Sequence, residues 1–268
     1  MLNNIYLKTL RDMRRALLWW GVGMFVFSLW MITLFPSIEE SSVDIQNYVD
    51  SFPESFRAFF ATERLDFRTL EGFITMELLS IFYPVLILAF AVSYGAGLLG
   101  GEEESGTLEI LLSMPVPRWR VMVDKFAALV TFTLIVLLAT WLGIVAGILV
   151  VGIEDADLLN LLAGILNMAP LALFFGALAY CLTGVRGGKG TALGATLALA
   201  AATYLMHTLS ETASLPGWMQ TVSPWYYYDG LNVLIDGVDP FSVGLLLGLA
   251  LLLVAVGIFA FERRDVGV

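Results

Sequence analysis

The chain has 268 residues, of which 59% are hydrophobic and 14% are charged, and its formal net charge is −10. Soluble domains average about 45–50% apolar and about 25% charged residues, so this composition excludes a soluble globular domain. The acidic balance argues against a nucleic-acid partner. A single cysteine excludes an intrachain disulfide and, with a single histidine, argues against a His/Cys metal site.

The first predicted element is an amphipathic helix over residues 1–16. Between residues 2 and 17, apolar side chains recur at steps of three and four, and most charged side chains fall on the opposite face. This pattern is typical of a helix that lies at a membrane interface. The alternative is that the segment only prolongs the first membrane-spanning helix into water.

Six stretches of the chain are long and apolar enough to cross a membrane as helices. They are, approximately, Leu17–Phe35, Phe73–Leu99, Phe126–Val151, Leu158–Val185, Thr191–Leu209 and Phe241–Phe261. The basic residues before the first stretch imitate a signal peptide, but that stretch is too long for a signal core, and no clear small-residue cleavage site follows it. The sequence therefore predicts one all-α integral membrane domain over residues 1–268, with six spans.

Two further patterns concern a loop and the packing of the spans. The loop Ser37–Phe73 contains a proline and several phenylalanines among its charges, so we expect it to be partly helical. Four glycine pairs have a spacing of four residues, which lets membrane helices approach closely. They are Gly97/Gly101, Gly143/Gly147, Gly190/Gly194 and Gly244/Gly248. We expect them to pack within the chain, with a dimer seam as the alternative.

The distribution of positive charge predicts the orientation. Most of the 14 lysines and arginines lie before span 1, between spans 2 and 3, between spans 4 and 5, and after span 6. Positively charged flanks of membrane helices stay in the cytoplasm. We therefore expect both termini to be cytoplasmic and the other three loops to lie outside.

The segment between spans 2 and 3 combines an acidic run, a short apolar helix and a basic end. We expect Thr107 to cap the helix and Pro115 to end it, with Leu108, Leu111 and Leu112 as its apolar face. The preceding glutamates suit the positive end of its dipole. Such a helix is suited to docking in a partner's groove. The alternative is a loop helix that lies on the lipid surface.

Here the sequence resembles the permease subunits of type 2 ABC transporters, the ABC-2 permeases. Their hallmark is a glutamate-rich Gly-Thr-Leu-Glu-x-Leu-Leu segment, followed by x-x-Pro-x-x-Arg and a lysine. In that family the segment is a coupling helix that sits in a cleft of the ATP-binding subunit and converts its closure into movement of the membrane helices. The residues that this resemblance assigns to coupling are Glu102, Glu103, Glu104, Gly106, Thr107, Leu108, Glu109, Leu111, Leu112, Pro115, Arg118 and Lys125.

The resemblance also implies how the coupling helix docks. We expect Leu108 and Leu111 to face the groove of the ATPase, and Glu109 and Arg118 to make polar contacts at its rim. Pro117 departs from the family pattern, in which serine is common at this position.

Two further stretches carry the same resemblance. The tail Phe261-Glu262-Arg263-Arg264-Asp265 resembles the Phe-x-Arg-Arg-Asp ending of many of these permeases, although it also serves as a positive-inside anchor. The loop between spans 5 and 6 resembles the family's last outer loop, which often dips back into the outer leaflet. Its aromatic residues are candidates for an outer gate, with an ordinary aromatic belt as the alternative. They are Trp218, Trp225, Tyr226, Tyr227 and Tyr228.

The turn between spans 4 and 5 imitates a nucleotide-binding loop. Residues 184–191 lack the required glycine five positions before Gly-Lys and the Ser/Thr directly after the lysine. We expect a tight turn in which Arg186 and Lys189 make a second contact with the ATPase. The chain is thus not expected to hydrolyse ATP itself.

Few chemically reactive groups lie within the spans. Glu77 and His207 are candidates for a substrate or proton role, but both are near the outer ends of their spans. We expect Cys181 to be a packing residue between helices. We expect no catalytic residues, metal or cofactor on this chain.

These patterns together predict a permease subunit that pairs with itself or a similar permease. It would recruit two copies of a separately encoded ATPase, which binds ATP and Mg, and export a substrate across the cell membrane. The apolar interior favours an amphipathic or lipid-like substrate. An alternative is an ATP-independent channel or secondary transporter, for which broken helices and buried midplane charges are typical and not evident here. An intramembrane enzyme is disfavoured because central polar residues are scarce.

Overall fold

The computed structural model describes residues 4–50, 69–113, 115–212 and 216–264, without the side chains of residues 40–50, 211 and 212. The regular elements in these ranges are helical, which confirms the all-α class. Six helices are long and apolar enough to cross a membrane, as predicted, and the chain is a multi-pass membrane protein. Spans 1 to 6 are Arg14–Glu39, Leu70–Glu104, Arg118–Val151, Leu158–Arg186, Lys189–Ser210 and Pro240–Arg263.

A separate short helix, Ile5–Asp12, precedes span 1. The Asn4 side chain caps it by accepting a hydrogen bond from a first-turn amide at 3.2 Å. At Met13 the backbone leaves the helical region, with φ −94° and ψ 0°. The Tyr6 hydroxyl lies 3.0 Å from the Thr131 hydroxyl of span 3 and fixes this helix against that span. The predicted amphipathic helix therefore exists as an element of its own, shorter than predicted.

The helix of span 1 continues through Pro36 to Asp50. The loop predicted to be partly helical is therefore helical over residues 37–50, and residues 51–68 lie outside the described part of the chain.

Spans 1 and 3 approach each other closely at two of the predicted glycines. An ideal Cβ on Gly143 would lie 2.3 Å from the Phe25 carbonyl oxygen, and one on Gly147 would lie 2.6 Å from Cβ of Ile32. Only glycine permits these contacts. By contrast, Cβ atoms built on the glycines of spans 5 and 6 at positions 190, 194, 244 and 248 would meet nothing within 4 Å among the described residues.

Span 2 changes helix type along its length. A single α-helical turn leads into a nine-residue π-helix, Ile74–Phe82, and a regular α-helix, Tyr83–Glu104, completes the span. Tyr83 follows the π-helix, and the next residue, Pro84, lacks the backbone N–H that an unbroken ladder would use. This change of helix type was not evident in the sequence.

Span 4 is interrupted at Asn167, between the helices Leu158–Leu166 and Met168–Arg186. Pro170 lies in the first turn of the second helix, where a missing N–H costs no hydrogen bond. A new helix start is therefore favourable here. This break also was not evident in the sequence.

The connection between spans 2 and 3 is shorter than predicted. Span 2 continues to Glu104, and span 3 begins at Arg118 instead of Phe126. Pro117 occupies the position before span 3 with extended backbone (φ −65°, ψ 142°), and a proline fits a helix start because it has no N–H to satisfy. Only residues 105–117 connect the two spans.

The helix ends meet in two groups, which we call the charged end and the aromatic end. At the charged end, ion pairs and hydrogen bonds join the N-terminal helix to the ends of spans 2 to 6. At the aromatic end, the loop of residues 216–239, the aromatic loop, contacts spans 2, 4 and 5. Its short helical elements are Trp218–Val222, Pro224–Tyr227 and Val233–Asp236.

Candidate functional site

A short helix, Thr107–Leu112, lies at the centre of the charged end. Gly106 precedes it with φ +70°, a conformation that glycine adopts without strain. Thr107 is thus already the first helical residue, and its hydroxyl donates to the Glu102 carbonyl at 3.2 Å. The prediction that Thr107 caps this helix is wrong, because the turn at Gly106 occupies the cap position.

The apolar face of the short helix is buried within the chain. Leu108 and Leu111 are 1% and 2% exposed and belong to a cluster with Leu98 of span 2 and Val121 of span 3. Ile110, on the other side of the helix, is 68% exposed. The two leucines therefore do not face outward as expected, because the nearest apolar surface available to an amphipathic helix is that of the same chain.

Glu102 joins span 2 to span 3 and to the N-terminal helix. Its carboxylate lies 2.8 Å from the ammonium of Lys125 and 3.9 Å from that of Lys8. Lys125 is 1% exposed and also donates to the Leu98 carbonyl at 2.6 Å. A buried lysine requires such partners because an uncompensated charge there is costly. Lys125 therefore holds the fold together and has no surface to offer a partner.

Glu103 joins span 2 to the end of span 6. It pairs with the guanidinium of Arg264, which also donates to the Thr183 carbonyl of span 4 at 3.0 Å. Arg118 of span 3 donates to the carbonyls of Arg264 at 2.6 Å and Phe261 at 3.2 Å. Spans 2, 3, 4 and 6 thus meet at a single point.

Glu104 joins span 2 to span 5. Its carboxylate accepts a hydrogen bond from the Lys189 backbone N–H at 2.9 Å, at the first residue of span 5. The predicted favourable interaction with a helix dipole therefore occurs at span 5 and not at the short helix, because the acidic run belongs to the last turn of span 2. The side chains of Arg186 and Lys189 are exposed, as a partner contact requires.

The predicted coupling residues fall into two groups. The first group ties the segment to the membrane helices and consists of Glu102, Glu103, Glu104, Leu108, Leu111, Arg118 and Lys125. The second group is exposed and consists of Gly106, Thr107, Glu109 and Pro115, with Leu112 partly exposed. Ile110 is exposed beside this second group and was not predicted, although its position between the two leucines on a helix of period 3.6 places it on the opposite side.

The candidate gate residues at the aromatic end do not act as a unit. Trp225 is buried, and its indole N–H donates to the Ala200 carbonyl of span 5 at 3.1 Å. Tyr228 is also buried, and its hydroxyl donates to the Leu79 carbonyl of span 2 at 2.8 Å. Burial raises the pKa of Tyr228, as does the nearby Asp229 charge, so its hydroxyl retains the proton that it donates.

The other three aromatic residues are at least partly exposed. Trp218 is 62% exposed, Tyr226 is also exposed, and the Tyr227 hydroxyl donates to the Thr221 carbonyl within the same loop at 2.9 Å. Of the five candidate gate residues, Trp225 and Tyr228 thus anchor the loop, together with the Ser223 hydroxyl, which donates to the Thr203 carbonyl of span 5 at 2.9 Å.

The remaining candidate residues, Glu77, His207 and Cys181, show no arrangement typical of a reactive site. Glu77 is half-buried in the π-helix of span 2, and the His207 ring lies edge-on to Tyr226 with ring centres 6.4 Å apart. Cys181 is buried. Within the described ranges, no three His, Cys, Asp or Glu residues are grouped so as to hold a metal ion.

An apolar cavity of about 470 Å³ lies between spans 1 and 2. Its walls include Trp20, Phe27 and Phe82, and little polar surface lines it. Its size falls within the range of small-molecule sites, which is about 300–1,000 Å³.

The family comparison agrees with this architecture. Residues 9–262 match the family model described as "Multidrug efflux system permease Rv1217c, C-terminal domain". No curated protein matches the chain. Because the match covers almost the whole sequence, the chain belongs to this family of efflux permeases.

Proposed function

We propose that the chain is the permease subunit of an ATP-binding cassette exporter, an ABC-2 permease. It pairs with a second copy or a similar permease and works with two copies of a separate ATPase subunit, which binds ATP and Mg. The charged end and both termini face the cytoplasm, in agreement with the positive-inside rule. The membership of an efflux permease family and the six spans support this proposal.

The arrangement of the short helix is the observation that carries the proposal. Its inner side is packed on spans 2 and 3, while Glu109 and Ile110 project outward. A force applied to that outer edge passes directly into the span ends, because the glutamates next to the helix connect spans 2, 3, 5 and 6. This is the mechanical property that a coupling element requires.

The docking surface is therefore the edge formed by Glu109 and Ile110. An exposed isoleucine at the end of a membrane protein supplies the apolar anchor of a small interface, where few residues carry most of the binding energy. Arg186 and Lys189 supply positive charge at the second contact.

An amphipathic or lipid-like substrate agrees with the apolar cavity between spans 1 and 2. The family model is named for a multidrug efflux system. The cavity wall of Trp20, Phe27 and Phe82 suits planar or aliphatic apolar groups.

The proposal is tested by replacing Ile110 with glutamate. The tagged chain is purified from the membranes of its native host, and ATP hydrolysis by the eluate is measured. We expect the wild-type eluate to hydrolyse ATP and Ile110→Glu to lose most of this activity at equal permease amounts. Leu159→Glu is the matched control, because Leu159 is also highly exposed (76%) but lies at the aromatic end. Equal activity of all three eluates would exclude this docking edge.

A further inference from the structure

The π-helix of span 2 has a hydrogen-bond pattern that the span cannot complete by itself. In this winding each N–H donates to the carbonyl five residues earlier, and the Tyr83 N–H accordingly donates to the Leu78 carbonyl. The next donor in the series is residue 84, which is a proline without an N–H. The Leu79 carbonyl therefore has no donor from its own helix in the π register.

The aromatic loop supplies the missing donor. The Tyr228 hydroxyl reaches the Leu79 carbonyl at 2.8 Å in a buried position. The loop backbone is also seated directly against this carbonyl, since an ideal Cβ on Gly230 would lie 2.8 Å from its oxygen. A buried carbonyl without a partner is costly, so the contact favours the π register as long as the loop is seated.

In an α-helical register, the Leu79 carbonyl would have a different hydrogen-bond donor. There the Tyr83 N–H would donate to Leu79, four residues earlier, and Tyr228 would not be needed. A shift by one residue rotates a helix by about 100° and moves it about 1.5 Å along its axis. The Tyr83 hydroxyl donates a hydrogen bond to Ser28 of span 1 at 2.8 Å and holds this side chain in place. The residues that rotate would therefore be those before Tyr83.

We propose that Ile74–Phe82 is a register switch in span 2 and that the Tyr228 hydroxyl holds it in the π form. When the aromatic loop lifts, Tyr83 takes over the Leu79 carbonyl, and the end of span 2 turns. Phe82 lies in the segment that turns and lines the apolar cavity between spans 1 and 2. Movement of the loop thereby changes the shape of that cavity.

The test measures hydrogen exchange of the purified full-length chain in lipid nanodiscs, in peptides that cover residues 69–86. Tyr228→Phe keeps the ring but removes the donor that favours the π form by about one hydrogen bond, so the segment leaves that form more often, and we expect exchange of its amides to become about tenfold faster. Tyr227→Phe is the matched control, because that hydroxyl bonds only within the loop. We expect it to leave these amides unchanged.

A second substitution distinguishes a register switch in span 2 from a Tyr228 contact that only anchors the aromatic loop. Pro84→Ala restores an N–H that reaches Leu79 in the π register, so Tyr228→Phe should have little effect in that background. An equal effect of Tyr228→Phe with and without Pro84 would overturn the proposal, as would unchanged exchange in the single variant. If Tyr228→Phe does not fold, recovery of the folded chain by Pro84→Ala supports the switch, and failure of this rescue refutes it. No ATPase is needed, so the result is independent of the proposed function.

Discussion

Replacing Glu102 with glutamine tests whether the acidic run holds the charged end together. This substitution keeps the shape of the side chain and removes its charge. The ammonium of Lys125, 1% exposed and now 2.8 Å from a carboxylate oxygen, would face a neutral amide. Lys8, at 3.9 Å, would add a second positive charge without its partner in span 2.

The expected cost follows from the burial of this pair. Removing one partner of a buried ion pair costs about 3–5 kcal/mol, because the other charge stays buried. The Glu102 side chain is 23% exposed, so water screens part of the loss and the lower end, about 3 kcal/mol, applies. Lys125→Met removes the stranded charge with little change in volume. The double variant Glu102→Gln/Lys125→Met should therefore regain most of the lost stability.

The assay is thermal unfolding of the detergent-purified chain, followed by tryptophan fluorescence. Glu109→Gln is the control, because Glu109 is exposed and surface substitutions usually change stability by less than about 0.5 kcal/mol. The reasoning is refuted if Glu102→Gln melts at the temperature of the wild type. It is also refuted if the double variant is no more stable than the single one.

Two other predictions concern the turn between spans 4 and 5 and the orientation. Gly187→Ala should destabilise the chain by about 1–3 kcal/mol, since φ is +71° and the new Cβ would lie 2.3 Å from the Arg264 guanidinium. Gly190→Ala, at a helical position with open space, should be neutral or stabilising in the same melting assay. In a chain without its native cysteine, Ser41→Cys should react with an impermeant thiol reagent added to intact cells, and Ser113→Cys should not. The reverse labelling would invert the orientation.

The sequence was sufficient for the six spans because long apolar runs are a local property. The end of the short helix at Leu112, before Pro115, and the start of span 3 after Pro117 are likewise local, although Pro117 was recognised only as a departure from a family pattern. Hydropathy ended span 2 too early and began span 3 too late, because the charged helix ends at Glu104 and Arg118 do not resemble membrane helix.

The partners of the charged residues could not be predicted from the sequence. Glu104 contacts a residue 85 positions away, and Glu103 one that is 161 positions away, so no local pattern relates them. The π-helix has the same origin, since the Tyr228 hydroxyl that completes it lies 149 positions from Leu79. The direction of the short helix also depends on which apolar surface is nearest in three dimensions, and the leucine pattern alone does not specify it.

Photo-crosslinking from position 110 tests the central claim most directly. A photoreactive phenylalanine derivative replaces Ile110 in the tagged chain, and membranes of the native host are irradiated before purification. The account predicts a crosslinked product that contains an ATP-binding cassette subunit, identified by mass spectrometry, and none from the same derivative at Leu159. A chain that crosslinks to no such subunit from position 110, while remaining folded and active in export, would contradict it.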